Sequence, residues 1–207
     1  MRIIIVRHGD PNDELDTLTK TGWREAEFAA EYLAKLQIKA FYVSPLGRAQ
    51  DTAGCTLKKM NRTAETLDWL REFEAHIDRP DVKNEKSICW DWLPHDMEKD
   101  LDLYDRERWN KTDIMRKGNV EEAYRWVCDG LDALLKRHGY ERDDMYYRVN
   151  EPNHDTIVLF CHFGEECVML SHLLNVSQMV LWHGLCAAPS SIISIYTEER
   201  SKGIEGF

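Results

Sequence analysis

The sequence lacks paired cysteine motifs and long apolar runs, and these two absences exclude several classes of protein. Its six cysteines are scattered and none forms a Cys-x-x-Cys pair, so neither a zinc ribbon nor a thioredoxin-type redox site is supported. The apolar stretch near the amino terminus, Ile3 to Val6, is too short for a signal peptide or a membrane span. We therefore expect a reducing, cytoplasmic setting and no membrane partner.

Basic residues are also in deficit, since 27 lysines and arginines face 37 acidic residues and leave a formal net charge of −10. Nucleic-acid phosphates and anionic lipids repel such a surface, so neither is expected as a partner. A few local arginines can still bind a small anion. The length of 207 residues fits one globular domain, and its oligomeric state is left open.

Strand-like and helix-like segments alternate along most of the chain, which predicts an α/β fold. We expect a three-layer α/β/α sandwich with a mostly parallel sheet. Helices are expected after the Thr19 cap and after Ser44-Pro45, with Ser44 as cap and Pro45 in the first turn. The remaining expectations are strands at 2–7, 40–43, 156–161 and 191–196, helices at 119–138 and 165–174, and a strand or extended segment at 66–74.

The stretch from His76 to Gly118 breaks this alternation, mixing charged residues with three of the seven tryptophans. We interpret it as a helical insertion, and as a lid over the site, within a single domain of residues 1–207. Trp90, Trp92 and Trp109 either line a pocket for a partly apolar substrate or only anchor the insertion to the core. A mere surface excursion is the third alternative.

Two histidines each follow a buried strand. Arg7-His8-Gly9 comes directly after the first strand, where α/β folds bind ligands, and its arginine can hold an anion. Cys161-His162-Phe163-Gly164 repeats the arrangement after the strand at 156–161. Arg48 adds a second guanidinium at the start of a helix, where free N–H groups also attract anions. The pattern predicts one shared anion site at the sheet edge.

These residues carry a resemblance to a known family. The chain resembles the ordered signature of the histidine phosphatase superfamily, the phosphoglycerate mutase-like proteins, over about residues 1–75 and 120–197. The matching motifs are Arg7-His8-Gly9, Leu18-Thr19 with Gly22, Ser44-Pro45-Leu46 with Arg48 and Thr52-Ala53, Leu70 with Glu72, and His162 with Gly164.

The resemblance implies a mechanism and a set of catalytic residues. His8 would attack phosphorus and become phosphohistidine, while Arg7, Arg48 and His162 would surround the phosphoryl oxygens. The family's acid lies in a Leu-x-Glu pattern, which here is Glu72; Glu74 has the same strand parity and is the alternative. The scheme needs neither metal nor cofactor. The expected activity is that of a metal-independent phosphomonoesterase of the histidine acid phosphatase type, acting on a small phosphorylated metabolite.

Three departures from the family pattern bear on the substrate. Asn12 stands in Asp10-Pro11-Asn12, where the family often has Glu or Gln with Thr, and is expected to donate to phosphate. Phe163 follows the second histidine, so its backbone N–H would serve while its ring narrows the pocket. The basic insertion of phosphoglycerate mutases is not recognisable, which favours a hydrolase over a mutase. A non-catalytic phospho-ligand binder is the third alternative, and the presence of both histidines, both arginines and a candidate acid argues against it. His183 could face the site or pack in the core.

Overall fold

The structure is a computed structural model that describes residues 1–83, 85–201 and 204–206. Its strands are β1 (Arg2–Arg7), β2 (Pro11–Asn12), β3 (Thr17–Leu18), β4 (Ala40–Val43), β5 (Glu65–Thr66), β6 (His76–Ile77), β7 (Ser87–Ile88), β8 (Tyr140–Asp143), β9 (Tyr146–Val149), β10 (Thr156–Cys161), β11 (Ile192–Tyr196), β12 (Glu198–Ser201) and β13 (Ile204–Gly206). Its α-helices are α1 (Lys20–Leu33), α2 (Gly47–Met60), α3 (Pro94–Met97), α4 (Asp113–Lys117), α5 (Val120–Arg137), α6 (Phe163–Leu174) and α7 (Gln178–Gly184).

A five-stranded sheet in the order β11-β1-β10-β4-β5 forms the centre of the molecule. The pairs β1–β10, β10–β4 and β4–β5 are parallel, and only β11 runs antiparallel, against β1. The predicted mostly parallel sheet is therefore confirmed. Because β1 and β10 are parallel neighbours in register, with Arg7 opposite Cys161, the residues that follow them meet at the same sheet edge.

Both faces of this sheet are covered by helices. Along β1, Ile3 and Ile5 join the core under α5 and α6, whereas Ile4 and Val6 join the core under α1 and α2. All four side chains are fully buried, and each such burial stabilises the fold by about 1.5–3 kcal/mol. The continuous apolar run thus reflects a strand without a solvent face, and the predicted three-layer sandwich is confirmed.

One local prediction was wrong, and a second holds only in part. Helix α2 begins at Gly47 and not at Pro45, because the Asp16 carboxylate accepts the Gly47 N–H at 2.6 Å and caps the helix in place of Ser44. In the segment 66–74 only the first residue belongs to a strand, and a 3₁₀ turn at Asp68–Leu70 follows. The chain then runs irregularly, because Leu70 and Phe73 are buried at the spacing of a turn and not at the alternation of a strand.

A hairpin of β8 and β9 was not predicted, and it belongs to a second sheet in the order β12-β13-β9-β8. Its sequence is mostly polar, and only Tyr140, Tyr147 and Val149 of the two strands are buried. Gly139 begins the hairpin with a φ of +90°, a conformation that favours glycine, and a Cβ there would lie 2.7 Å from the Glu151 carbonyl oxygen.

The insertion from His76 to Gly118 holds two short helices, α3 and α4, and two 3₁₀ turns, Leu101–Tyr104 and Trp109–Lys111. It also holds the small hairpin β6–β7, although no strand was expected there. Trp92 and Trp109 are buried, and the Trp109 ring meets Trp182 of α7 edge-on at 5.6 Å between centroids. These two tryptophans anchor the insertion to the core.

Candidate active site

The site lies where β1 and β10 end. The His8 amide donates to the Cys161 carbonyl at 3.0 Å, which continues the sheet pairing by one residue and sets the two histidines side by side. The centroids of the His8 and His162 rings are 5.0 Å apart, and both side chains are buried. The predicted meeting of the two motifs is therefore present in the structure.

The hydrogen bonding of His8 fixes which ring nitrogen is free. Its Nδ1 lies 2.8 Å from the Gly9 carbonyl oxygen, which can only accept, so we assign the ring proton to Nδ1. Nε2 then carries the lone pair. Burial is the main reason why the pKa of His8 is lowered to about 4, and the positive charges of Arg48 and Arg7 contribute to this lowering while the Gly9 hydrogen bond opposes it. His8 is therefore neutral near pH 7 and has a free nucleophilic nitrogen.

His162 is oriented by Ser44. The Ser44 hydroxyl accepts the Leu46 N–H at 3.2 Å, so its own proton is available to His162 Nε2 at 2.8 Å. We therefore assign the ring proton of His162 to Nδ1, a buried atom without a hydrogen-bond partner among the described residues. Burial lowers the pKa of His162 to about 2, with the positive charge of Arg48 as the next cause. His162 thus offers a neutral, unoccupied N–H donor.

Two guanidinium groups flank the histidines. Arg7 donates from one terminal nitrogen to the Ala187 carbonyl at 2.5 Å, and its Cζ lies 5.6 Å from the centre of the Phe163 ring. Arg48 donates to Asp16 at 2.8 Å, and its side chain is only 15% exposed. Both positive charges lower the pKa values of the two histidines, so the site has a positive electrostatic potential that favours an anion.

Glu72 is held by backbone N–H groups. One carboxylate oxygen accepts from Phe73 at 3.0 Å and from Gly164 at 2.9 Å. Burial raises the pKa of Glu72, while the two N–H donors and the arginines oppose the rise. A Cβ at Gly164 would lie 2.7 Å from the Glu72 oxygen, so this contact requires glycine. Glu74, the alternative acid, is exposed to solvent.

Phe163 and Asn12, the two remaining candidates for phosphate binding, lie in different elements of the structure. Phe163 begins α6, and its ring packs edge-on against Trp90 with centroids 5.6 Å apart. Asn12 lies in the small β2–β3 hairpin, where its side-chain oxygen accepts the Leu15 N–H at 3.3 Å. The expectation that Asn12 donates to phosphate stays a prediction.

His183 contacts the insertion. Its Nε2 accepts the Trp92 N–H at 2.8 Å, and its Nδ1 lies 2.7 Å from the Met179 carbonyl oxygen. With both ring nitrogens in use, His183 holds the insertion against α7. Of the two alternatives left open by the sequence, the structure supports the packing role.

Four supporting residues escaped the sequence reasoning. Ser44 was expected to cap a helix and instead contacts His162, while Asp16 caps α2 and binds Arg48. Glu165 and Glu166 follow the second histidine in the first turn of α6 and are fully buried. Acidic residues are common at exposed helix starts, so their burial could be recognised only from the packing around them.

One cluster among the described residues could hold a metal ion. Single ligand atoms of His8, Glu72 and His162 all lie within 4.8 Å of one another. The same space is flanked by the positive charges of Arg7 and Arg48, which repel a cation and attract an anion. The residues present therefore fit a phosphoryl group better than a metal ion.

The family model of the histidine phosphatase superfamily (branch 1) matches residues 3–206. The chain belongs to this superfamily. It is 28% identical over 190 residues to a 2,3-bisphosphoglycerate-dependent phosphoglycerate mutase of Thermoplasma acidophilum, a match that covers 86% of this chain and 85% of the relative.

Solved structures of low sequence identity share the fold. A phosphoserine phosphatase from Entamoeba histolytica, solved with 3-phosphoglyceric acid, superimposes with a TM-score of 0.60 at 17% identity, covering 98% of this chain and 93% of that one. An alpha-ribazole phosphatase from Shigella flexneri gives a TM-score of 0.61 at 15% identity, covering 100% and 95%. These structural similarities confirm the predicted fold, and the family model confirms the predicted family.

Within residues 1–83, 85–201 and 204–206, every helix is too short or too polar to cross a lipid bilayer.

Proposed function

We propose that this protein is a metal-independent phosphomonoester hydrolase that acts through a phosphohistidine at His8. The observation that carries the proposal is the contact of His8 Nδ1 with the Gly9 carbonyl oxygen at 2.8 Å, which leaves Nε2 free in a site where Arg48 and Arg7 lower the histidine pKa. The substrate is a small phosphorylated molecule.

The first step transfers the phosphoryl group to the enzyme. The Nε2 lone pair of His8 attacks phosphorus, and the bond from phosphorus to the leaving oxygen breaks. Arg7, Arg48 and the Nδ1–H of His162 bind the equatorial oxygens, where charge develops in the transition state. Glu72 gives its proton to the leaving oxygen, which departs as the alcohol.

The second step releases phosphate. Glu72, now a carboxylate, takes a proton from a water molecule, and the water oxygen forms a bond to phosphorus as the bond from phosphorus to His8 Nε2 breaks. The elevated pKa of Glu72 suits both roles, because the group can be protonated before the first step and is a stronger base in the second.

The insertion from His76 to Gly118 is assigned the role of a lid within a single domain of residues 1–207. Trp90 supports this assignment, since its ring packs on Phe163 and its indole N–H donates to the Phe73 carbonyl at 3.2 Å. The insertion thus reaches the residues next to Glu72 and the second histidine. A lid at this position would exclude bulk water during transfer.

A mutase is the second candidate, because the curated relative from Thermoplasma acidophilum is a phosphoglycerate mutase. Both activities use a phosphohistidine and differ in the acceptor, which is water for a hydrolase and a second hydroxyl for a mutase. Hydrolysis is preferred because the basic insertion of mutases is not recognisable in the sequence. A third class, a member that only binds phosphorylated ligands, would lack turnover altogether.

Rapid quench with ³²P-labelled aryl phosphate tests the proposal. We expect a protein adduct that is labile in acid and stable in alkali, and its loss in His8→Ala. His154→Ala, which replaces an exposed histidine, is the matched control and should keep the adduct. An adduct that persists in His8→Ala would overturn the assignment.

The same preparation separates the three candidates. Release of inorganic phosphate at the rate of substrate loss identifies a hydrolase. Appearance of the label on an added sugar acid or polyol identifies a mutase. An unreacted substrate that nevertheless binds would identify a non-catalytic member.

A further inference from the structure

A cavity of about 500 Å³ opens between the segment 71–75 and helix α5, and we call it the α5 cavity. Glu72 is part of its lining, together with an apolar wall of Phe73, Ala123, Val127 and Trp126. The tryptophans of the insertion, which were considered as pocket residues, are not in this lining.

The position of the α5 cavity fits the leaving group of the proposed reaction. In an in-line displacement the attacking nitrogen, phosphorus and the leaving oxygen are roughly collinear, so the leaving alcohol points away from His8. Glu72 must contact that oxygen, and its carboxylate lies within 4.8 Å of a ring nitrogen of His8. The α5 cavity is lined by Glu72 but not by His8, as expected for the space beyond the leaving oxygen.

The charge of the lining is predominantly acidic. Besides Glu72 it includes Glu74, Glu122 and Glu165, against a single guanidinium, that of Arg71. Both Glu165 oxygens are buried without a hydrogen-bond partner among the described residues. An anionic substrate body would be repelled by the exposed carboxylates of Glu74 and Glu122, whereas an ammonium group would be attracted to them and could donate a hydrogen bond to the unpaired Glu165 oxygens.

An aromatic side chain also favours a cationic substrate body. Trp126 lines the α5 cavity with 48% of its surface exposed, although it is a large apolar residue on a helix. The face of a tryptophan ring attracts ammonium and quaternary ammonium groups. Carboxylates together with an accessible indole ring favour a cation that carries apolar groups.

We propose that the α5 cavity binds the alcohol portion of the substrate and selects an alcohol that carries an amine over one that carries a carboxylate. This inference rests on the proposed function, because it assigns the leaving group to the side of Glu72 away from His8. It names the substrate class as the phosphomonoesters of amino alcohols.

Three probes of similar size differ only in the charge of the body: O-phosphoethanolamine is cationic, 2-hydroxyethyl phosphate neutral and 2-phosphoglycolate anionic. We expect kcat/KM of the wild-type protein to fall in that order. Calorimetric binding of the same probes to His8→Ala should give the same ranking without turnover. A preference for phosphoglycolate in either measurement would overturn the proposal.

Reversing the charge of a single residue tests whether the substrate preference arises in the α5 cavity or from the acidic surface of the whole protein. Glu122→Lys should lower the ratio of phosphoethanolamine to phosphoglycolate by about tenfold, since it reverses a charge at the cavity. Asp129→Lys changes the net charge equally on the same helix, but Asp129 is exposed and outside the lining, so the ratio should stay within about twofold. Equal shifts in both variants would refute the assignment to the cavity.

Hydrolysis of p-nitrophenyl phosphate tests the proposed function separately. If this aryl substrate is hydrolysed through the His8 adduct and the amine preference is absent, the substrate class is wrong while the hydrolase assignment stands. If the aryl substrate is not turned over, the binding ranking on His8→Ala still decides the inference about the cavity.

Discussion

Replacing Glu166 by glutamine should stabilise the protein, and the gain should grow with pH. Glu166 is fully buried in the first turn of α6, and neither of its oxygens has a hydrogen-bond partner among the described residues. Burial raises the pKa of Glu166 from 4.5 to about 8, against the lowering effect of Arg7. A charge at a helix amino terminus gains about 0.3–1 kcal/mol from the helix dipole, which is too little to offset the cost of burial.

The size and sign of the effect follow from proton linkage. A carboxyl whose pKa is higher in the folded chain binds more protons when folded, so its contribution to stability falls as pH rises from 4.5 toward about 8. Each pH unit in that window costs about 1.4 kcal/mol. Keeping Glu166 protonated therefore costs about 3 kcal/mol at pH 7 and under about 1 kcal/mol at pH 5. Glutamine has the shape of the protonated acid and avoids this cost.

Urea unfolding of the wild type and Glu166→Gln at pH 5 and pH 7 measures the difference. We expect the variant to gain about 3 kcal/mol at pH 7 and much less at pH 5. Glu122→Gln, the same change at an exposed position on α5, serves as the control and should show no such growth with pH. An equal gain at both pH values, or a loss at pH 7, would refute the reasoning.

Three further predictions concern catalysis. Glu72→Gln should slow an alkyl phosphate more than p-nitrophenyl phosphate, because only the alkoxide needs a proton, while Glu74→Gln should affect both substrates alike; the reverse pattern would assign the acid to Glu74. Activity should survive exhaustive dialysis against EDTA, since the scheme draws its positive charge from arginine, and a loss restored by a divalent ion would contradict it. After correction for substrate ionisation, kcat/KM should fall at low pH with a midpoint near pH 4. The reason is that His8, whose pKa is lowered to about 4, gains a proton there and loses its nucleophilic lone pair. An acid limb near pH 6.5 would show that His8 is not the free nucleophile.

The central sheet could be predicted because its signal is local. The inner residues of a strand that is buried on both faces are all apolar, and β1 and β10 show such continuous apolar runs between their ends. Their parallel pairing then brings His8 and His162 together without further information. Arg7 needs no separate argument, because it is the last residue of the strand that carries His8.

The supporting contacts could not be predicted because they join residues far apart in the chain. Asp16 and Ser44 are ordinary loop residues in sequence, and nothing local shows that one binds Arg48 and the other His162. The β8–β9 hairpin was missed for a related reason. Its polar sequence has a weak alternation, and β9 pairs with β13 from near the end of the chain.

The burial of the first turn of α6 was not predicted from the sequence, and the backbone groups of this turn contact residues of the site. The first turn of α6 contributes the Gly164 N–H to Glu72 and the Gly164 carbonyl, 3.1 Å from the Trp182 indole nitrogen, so this turn must be buried. Because this turn is buried, Glu165 and Glu166 are buried with it. In the first turn of a surface helix, such residues would be exposed to solvent. If stability were the only requirement, apolar residues would be expected at these two buried positions. Burial is the main cause of the raised pKa values of both acids, and the charge of the proposed proton donor Glu72 adds to the rise. A gain in stability on replacing Glu166 would therefore measure what this arrangement costs the fold.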